Sequence, residues 1–213
     1  MSVMLERLQQ EKIVAIFRYI EDQYADQAAE ALLNGGITLM EITMNTEGAA
    51  GMISRWREKY GDRAGIGAGT VLDLEMAKEA IAAGSQFLIS PNLDEAVVDY
   101  GLKTGVPVWP GVMTPTEIVR AWKAGAEAVK IFPMGTLGWK YLSEIRAPLD
   151  KIPMLATGGV DLDNIADYFK AGACAVGMGS KLVNLDWVRS GRFDLLEERA
   201  RKFADAAKAL AKS

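Results

Sequence analysis

Histidine is absent from this sequence of 213 residues, and cysteine occurs once, as Cys174. The lack of histidine removes the most common general base at neutral pH, the central member of a Ser–His–Asp triad and the most common metal ligand. A single cysteine excludes a disulfide framework. A zinc site would need mostly carboxylates, so we expect no metal. Acid–base chemistry must therefore use Glu, Asp, Lys, Tyr or a water molecule that one of them holds.

Strong charge of one sign and long apolar runs are also missing. The formal net charge is −4 and the isoelectric point is near 5.1, which gives no electrostatic field suited to nucleic acid or to an anionic membrane. No segment reaches the roughly 20 apolar residues of a transmembrane helix. The first twelve residues, MSVMLERLQQEK, lack the continuous apolar core of a signal peptide. We therefore expect a cytoplasmic protein that binds neither nucleic acid nor membranes.

The chain does contain a regular alternation of two kinds of segment. Apolar runs typical of buried strands alternate with amphipathic helical segments, and glycine at predicted helix ends recurs about every twenty residues, at positions 84, 105 and 125. Half of the residues are hydrophobic, enough to bury one large core. The candidate strands are residues 13–17, 39–44, 64–69, 87–91, 106–112, 128–133, 153–159 and 175–180.

Eight strands that alternate with helices predict a single (β/α)8 TIM barrel, and no break in composition divides residues 1–213 into smaller domains. We expect a short helix before residue 12 to cover the bottom of the barrel, and the last helix to lie within residues 193–213. The alternative is a doubly wound open sheet. It is disfavoured because no G-x-G-x-x-G fingerprint follows the first strand.

Lys130 is the most unusual residue of these strands, because it interrupts the apolar run AVKIFP. A buried ammonium group is costly unless it is paired or deprotonated. Burial lowers the pKa of a lysine, and a neutral amine can form a Schiff base with a ketone or an aldehyde. The alternative is a lysine at a strand end whose ammonium group reaches solvent.

Polar residues and glycines gather where the candidate strands end, the face on which such barrels bind ligands. They are Arg18, Glu41, Thr43, Asn45, Thr70, Ser90, Thr114, Lys130, Thr157, Gly158, Gly159, Gly179 and Ser180. Glu41 stands out, since a carboxylate within LMEITM should not be buried alone. It could act beside Lys130 or form a structural ion pair with it. The carboxylate would raise the pKa of Lys130 and burial would lower it, and the sequence leaves both outcomes open.

The glycine pairs in TGGVDLDN and GMGSK predict a phosphate site, because backbone N–H groups after the last two strands of a barrel commonly face an anion. Asp161 or Asp163 is the candidate N-cap of the helix that follows the first pair. Close packing between helix and strand is the alternative explanation of the glycines.

Seven motifs in this order resemble the bacterial 2-dehydro-3-deoxy-phosphogluconate (KDPG) and 4-hydroxy-2-oxoglutarate (KHG) aldolase family: EITMNTE, GAGTV, SPN, PGVMTPTE, VKIFP, TGGV and VGMGS. The resemblance covers about residues 10 to 185. It implies a class I aldolase that needs no cofactor beyond its own lysine and forms a homotrimer. Such an enzyme cleaves a 2-keto-3-deoxy-6-phospho sugar acid to pyruvate, a keto acid, and glyceraldehyde 3-phosphate, a phosphorylated aldehyde.

The resemblance also implies residue roles. Lys130 is the Schiff-base lysine and Glu41 the general acid and base. The substrate site includes Thr70, at the pyruvate carboxylate, Pro91 of the SPN motif, and Thr157, at a substrate hydroxyl. The phosphate site consists of Gly158, Gly159, Gly179 and Ser180.

Asn45 departs from the pattern of many members, which carry an arginine there that helps to hold the substrate carboxylate. Arg18 is the candidate for the missing positive charge. Asn45 resembles enzymes for the galactonate epimer, whereas Thr157 resembles those for the gluconate compound. We expect the gluconate compound, with the 6-phosphogalactonate epimer and 4-hydroxy-2-oxoglutarate as alternatives. A non-catalytic barrel that binds phosphosugars is a further alternative; metal-dependent epimerases of this fold would need histidine ligands.

Overall fold

The computed structural model describes residues 2–210, and its strands are all parallel. They are β1 (Ile13–Phe17), β2 (Leu39–Thr43), β3 (Gly65–Gly69), β4 (Leu88–Ile89), β5 (Val108–Trp109), β6 (Gly111–Val112), β7 (Val129–Ile131), β8 (Met154–Thr157) and β9 (Ala175–Met178). Their order in the sheet is β5-β4-β3-β2-β1-β9-β8-β7-β6. The two outermost segments are consecutive in the chain, so the sheet curls into a nearly closed barrel. The predicted (β/α)8 barrel is confirmed.

The fifth predicted strand, residues 106–112, is divided into β5 and β6 at Pro110. Proline has no N–H group to donate to a neighbouring strand. Before it, Val108 and Trp109 pair with β4; after it, Gly111 and Val112 pair with β7. The two halves thus turn to opposite neighbours, and this change of partner joins the two edges of the barrel.

Helices follow the strands and form the outer layer, apart from the first helix, which precedes β1. They are α1 (Val3–Glu11), α2 (Asp22–Asn34), α3 (Ala49–Tyr60), α4 (Leu74–Ala82), α5 (Glu95–Thr104), α6 (Pro115–Lys123), α7 (Met134–Arg146), α8 (Ile165–Lys170), α9 (Leu185–Arg189) and α10 (Phe193–Leu210). Local signals explain several boundaries. Thr114 and Glu117 form a reciprocal capping box that starts α6, and Gly105 ends α5 in a left-handed conformation at φ 72°.

The core has two shells, which arise from the alternation of side chains along each strand. Residues that face outward pack against the helices. Residues that face inward fill the lower barrel, where Phe87 stacks on Trp109 with ring centroids 4.7 Å apart. Helix α1 packs Met4, Leu5 and Leu8 into this inner cluster. The predicted helix at the barrel bottom is therefore confirmed.

Strand β3 makes room for the inner shell because its inward positions are all glycine. A Cβ atom added to Gly67 would lie 2.4 Å from the Phe87 ring, and one added to Gly65 would lie 2.5 Å from Leu39. The predicted last helix is present as α10, and its predicted residues 211–213 lie outside the described range. Within residues 2–210, no helix combines the length and apolarity needed to cross a bilayer.

Candidate active site

The alternation along the strands brings three polar residues into the barrel interior. Leu39, Ala128 and Leu155 belong to the inner cluster. The residues two positions further along the same strands are Glu41, Lys130 and Thr157, which therefore also face inward, one layer closer to the C-terminal ends. All three are buried, with 1%, 4% and 5% of their surface exposed.

Above this layer lies a cavity of about 210 Å³. It brings together eight residues that the sequence singled out: Arg18, Pro91, Lys130, Thr157, Gly158, Gly159, Gly179 and Ser180. A larger groove of about 750 Å³ runs along α6, but its charged lining side chains are all exposed to solvent. Buried titratable groups with shifted pKa values mark functional sites better than groove size does, so the smaller cavity is the candidate active site.

Lys130 and Glu41 are close enough to influence each other, although no N–O distance between them is within 4.0 Å, so they do not form an ion pair. Lys130 Nζ lies 5.1 Å from the centroid of the Phe132 ring. Burial lowers the pKa of Lys130 below its usual value, and Arg18 adds to this effect while Glu41 opposes it. The burial effect is the largest, which resolves the competition that the sequence left open. Burial thus shifts the lysine towards its neutral, nucleophilic form.

Glu41 is buried without a protein hydrogen-bond partner on either carboxyl oxygen, within residues 2–210. Burial raises the pKa of its carboxyl group, and the charges of Lys130 and Arg18 only partly oppose this. Burial therefore shifts both the amine and the carboxyl group of this pair towards their neutral forms. Such a pair is suited to nucleophilic attack and to proton transfer.

Thr157 likewise presents a buried hydroxyl without a partner in the described part of the chain. The space around it depends on Gly177, where an added Cβ atom would lie 2.5 Å from Thr157 Oγ1. A polar atom that is buried without a partner loses hydrogen bonding to water, so it commonly marks a place that a ligand or a water molecule completes. Thr157 can donate to or accept from a group in the cavity.

Two loops form the other end of the cavity. Gly158 and Gly159 have φ angles of 99° and 70°, which suit glycine, and a Cβ atom added to Gly159 would lie 2.4 Å from Gly135 Cα. Gly179 is different, since nothing lies within 4 Å of an added Cβ atom. Gly159 lines the cavity and also allows close packing against Gly135. Gly179 and Ser180 line the cavity as well, and the space beside Gly179 is open.

Asp161 fastens these two loops together. Its carboxylate forms an ion pair with Lys181 at 3.1 Å and another with Arg199 of α10 at 3.0 Å. Arg199 also donates a hydrogen bond to the carbonyl of Lys181. The expectation that Asp161 or Asp163 caps α8 is wrong: the N-cap is Asn164, because Asp161 is held by the two cations.

Three predicted site residues do not line the cavity. Glu41 lies below it, in the inward layer described above. Thr70 follows β3 directly and has a positive φ of 57°. Asn45 is exposed and lines a separate cavity at the rim, where its amide donates a 3.0 Å hydrogen bond to the hydroxyl of Tyr19.

Six lining residues were not selected from the sequence as site residues: Ile16, Phe132, Val160, Gly177, Met178 and Lys181. Phe132 stands two positions after Lys130, so strand alternation could have identified it. Lys181 follows Ser180 directly in GMGSK. Within residues 2–210, no group of three or more Cys, Asp or Glu side chains is arranged to hold a metal ion.

Comparison with known proteins identifies the family. A family model described as "KDPG and KHG aldolase" matches residues 4–198. The 2-dehydro-3-deoxy-phosphogluconate aldolase of Treponema pallidum is 36% identical over 91% of this chain and 92% of its own. The 2-dehydro-3-deoxy-6-phosphogalactonate aldolase of Escherichia coli is 36% identical over 80% of this chain and 83% of its own.

Solved structures agree with this match. The KDPG aldolase of Legionella pneumophila, with pyruvate captured at low pH as a covalent carbinolamine intermediate, has a TM-score of 0.87 and 26% identity, covering 94% of this chain and 97% of that one. A cube-shaped cage designed by fusing symmetric oligomeric domains has a TM-score of 0.87 and 33% identity, covering 94% of this chain and 73% of that one. The chain therefore belongs to the KDPG and KHG aldolase family and is an aldolase.

Proposed function

We propose that the protein is a class I aldolase that cleaves 2-dehydro-3-deoxy-6-phosphogluconate to pyruvate and glyceraldehyde 3-phosphate through a Schiff base on Lys130. One observation carries the proposal: a buried lysine with a lowered pKa lies at the floor of a cavity whose far end is built from bare glycine backbone. Each end of the cavity suits one half of a phosphorylated keto acid. The carbinolamine of the Legionella enzyme supports the same chemistry.

The reaction follows from these groups. Neutral Lys130 attacks the ketone carbon C2 to form a carbinolamine, and loss of water gives an iminium ion. Glu41, in its protonated form, supplies the proton that leaves with this water, through a bridging water molecule. The resulting carboxylate then takes the proton of the C4 hydroxyl. The C3–C4 bond breaks, its electron pair flows into the iminium, and glyceraldehyde 3-phosphate leaves.

The remaining enamine carries the three carbons of pyruvate. Glu41 returns its proton to C3, and water hydrolyses the new iminium. This step releases pyruvate, restores the free amine and returns one proton to the carboxylate of Glu41. No electrons enter or leave, so the chemistry needs no redox cofactor, and the iminium accepts the electron pair that a metal ion would otherwise stabilise.

The other predicted residues bind the two ends of the substrate in this proposal. Arg18, Thr70 and Pro91 belong to the carboxylate end, where Arg18 supplies a positive charge beside Lys130. Thr157 meets the C4 hydroxyl with its unpaired Oγ1. Gly158, Gly159, Gly179 and Ser180 hold the phosphate, with Lys181 beside them.

The 6-phosphogalactonate epimer is the second candidate substrate, supported by the E. coli relative of that name. Unphosphorylated 4-hydroxy-2-oxoglutarate would leave the two glycine loops without a ligand. A non-catalytic barrel would have no use for a buried amine and a buried carboxyl group without partners. We also propose that residues 1–213 act as one domain in a cytoplasmic homotrimer; the designed cage supports an oligomer.

Reductive trapping tests the proposal directly. Incubation with pyruvate and borohydride should add one reduced pyruvate to the intact protein, on the peptide that contains Lys130. Lys130→Met should abolish both the adduct and cleavage, while Lys140→Met, on the exposed surface of α7, should retain both. An adduct that persists in Lys130→Met would place the nucleophile elsewhere. Cleavage rates with the two C4 epimers then decide between the sugar acids.

A further inference from the structure

Tyr19, in the loop after β1, has a backbone conformation that residues with a side chain rarely adopt. Its φ is 55°, in the left-handed region, and 58% of its surface is exposed. Burial therefore does not hold it there. A conformation of this kind persists only when surrounding contacts impose it, and it is most common at functional sites.

The contacts come from the loop between β2 and α3. The N–H group of Tyr19 donates to Thr46 Oγ1 at 2.9 Å, and the hydroxyls of Thr46 and Thr43 are 2.9 Å apart. Thr43 donates to the carbonyl of Phe17 at 3.4 Å. Because Thr43 uses its proton for Phe17, Thr46 donates to Thr43. The result is a directed chain that starts at the N–H of Tyr19 and ends at the carbonyl of Phe17.

Phe17 and Tyr19 are the two sequence neighbours of Arg18. The hydrogen-bond chain therefore fixes the peptide groups on both sides of the arginine. Thr43 and Thr46 are buried, so water competes poorly for these bonds. A second tie comes from Asn45, whose amide donates to the Tyr19 hydroxyl at 3.0 Å.

Arg18 itself lines the cavity with Lys130 and is exposed. The structure gives its guanidinium no ion-pair partner among residues 2–210. A long side chain without partners loses much conformational entropy when it binds a ligand. A fixed backbone at Arg18 reduces that loss, because the side chain then starts from one direction.

We propose that Tyr19, Thr43, Asn45 and Thr46 form a clamp that positions Arg18 for the carboxylate of the keto acid. Asn45 then acts through Tyr19 and does not touch the substrate. This inference rests on the proposed role of Arg18 at the carboxylate. It assigns a positioning function to the residue at which this chain departs from the arginine of many family members.

Double-mutant cycles with Arg18 test the clamp. Asn45→Ala, Tyr19→Phe and Thr46→Val are each made in the wild-type and in the Arg18→Ala background, and KM for pyruvate is measured in the condensation direction. In the wild-type background each variant should raise KM about three- to tenfold with kcat within about twofold, since only the orientation of Arg18 is lost. In the Arg18→Ala background the same variants should change KM less than about twofold.

Controls separate positioning from stability. Thr46→Ser keeps the hydroxyl and should restore the wild-type KM, whereas Thr46→Val should not. Asn45→Ala and Tyr19→Phe alter exposed side chains, so their melting temperatures should match the wild type. If Thr46→Val does not fold, the Asn45→Ala and Tyr19→Phe variants still test the clamp.

Equal effects of Asn45→Ala in both backgrounds would overturn the clamp, because Asn45 would then contact the substrate itself. The clamp would also be overturned if Arg18→Ala raises KM for pyruvate but Asn45→Ala, Tyr19→Phe and Thr46→Val leave it unchanged in the wild-type background. A silent Arg18→Ala variant would overturn the clamp together with the carboxylate role of Arg18. The Schiff-base proposal is judged separately, by trapping on Lys130.

Discussion

Gly69 on β3 faces the carboxyl group of Glu41 on β2 so closely that a Cβ atom added to Gly69 would lie 2.5 Å from Glu41 Oε1. The Cγ2 atom of Thr43 would lie 3.2 Å from the same added Cβ atom. Hydrogen bonds between the paired strands β2 and β3 hold the two backbones at a fixed separation. The missing side chain at position 69 thus creates the space in which the proposed acid–base group sits.

We expect Gly69→Ala to lower kcat by about tenfold or more, because a displaced carboxyl group loses part of the 10²–10⁴-fold contribution of general acid–base catalysis. Trapping of pyruvate on Lys130 should still occur. Steady-state cleavage assays measure the effect. Gly51→Ala, with nothing within 4 Å of its added Cβ atom on the exposed side of α3, is the matched control and should leave kcat unchanged. A normal kcat in Gly69→Ala would mean that Glu41 has no such role.

Stability should depend on pH through Glu41. Burial raises the pKa of Glu41 above its usual value of 4.5, so between pH 4.5 and the raised pKa the folded protein binds more protons than the unfolded chain. Stability then falls as pH rises through this interval. Glu41→Gln should remove this fall, so its melting temperature should exceed the wild-type value by a few degrees at pH 8, and by less at pH 4.5. Thermal unfolding across this pH range measures the effect, with the exposed Glu47→Gln as control. A difference in melting temperature between Glu41→Gln and the wild type that does not change with pH would contradict this prediction.

The phosphate assignment predicts a selective defect in Gly179→Asp. No protein atom lies within 4 Å of the added Cβ atom, so the fold should be retained, but the carboxylate of the aspartate would repel a phosphate dianion. We expect KM for the phosphorylated substrate to rise about tenfold or more, corresponding to about 1.4 kcal/mol, while KM for pyruvate stays within about twofold. Gly179→Asn has the same shape without the charge and should be milder. Equal losses for both compounds would show that position 179 does not contact the phosphate.

Thr157→Val should weaken discrimination between the two C4 epimers. Valine keeps the shape of threonine and removes a buried hydroxyl that has no partner among the described residues. The ratio of kcat/KM between the gluconate and galactonate compounds should fall about tenfold, the value of one hydrogen bond of roughly 1.4 kcal/mol. Thr116→Val, exposed on α6, is the control. An unchanged ratio would assign the selectivity to another residue.

Strand positions and most of the cavity residues could be predicted from the sequence, because both depend on local alternation. Lys130 faces inward like Ala128, two positions before it, and Glu41 faces inward like Leu39. This alternation can be read from the sequence of each strand. The split at Pro110 could not be predicted, since it depends on which strand each half meets.

The features that sequence reasoning missed depend on contacts between distant segments. Asp161 looked like a helix cap, but a residue 38 positions later in the chain, Arg199, occupies its carboxylate. Tyr19 carried no signal, because neither its residue type nor its neighbours reveal a positive φ. The direction of the pKa shift at Lys130 required knowing how deeply it is buried relative to its distance from Glu41.

Arg199 has a consequence for the order in which the protein matures. It lies on α10 and reaches back to Asp161 and to the carbonyl of Lys181, so it anchors both loops of the proposed phosphate site. A chain leaves the ribosome with its N-terminus first. All nine strands are therefore synthesised before the residue that fastens these loops appears. A nascent chain that ends before position 199 contains every strand but lacks this anchor, so the ability to bind phosphorylated ligands should arise late in translation.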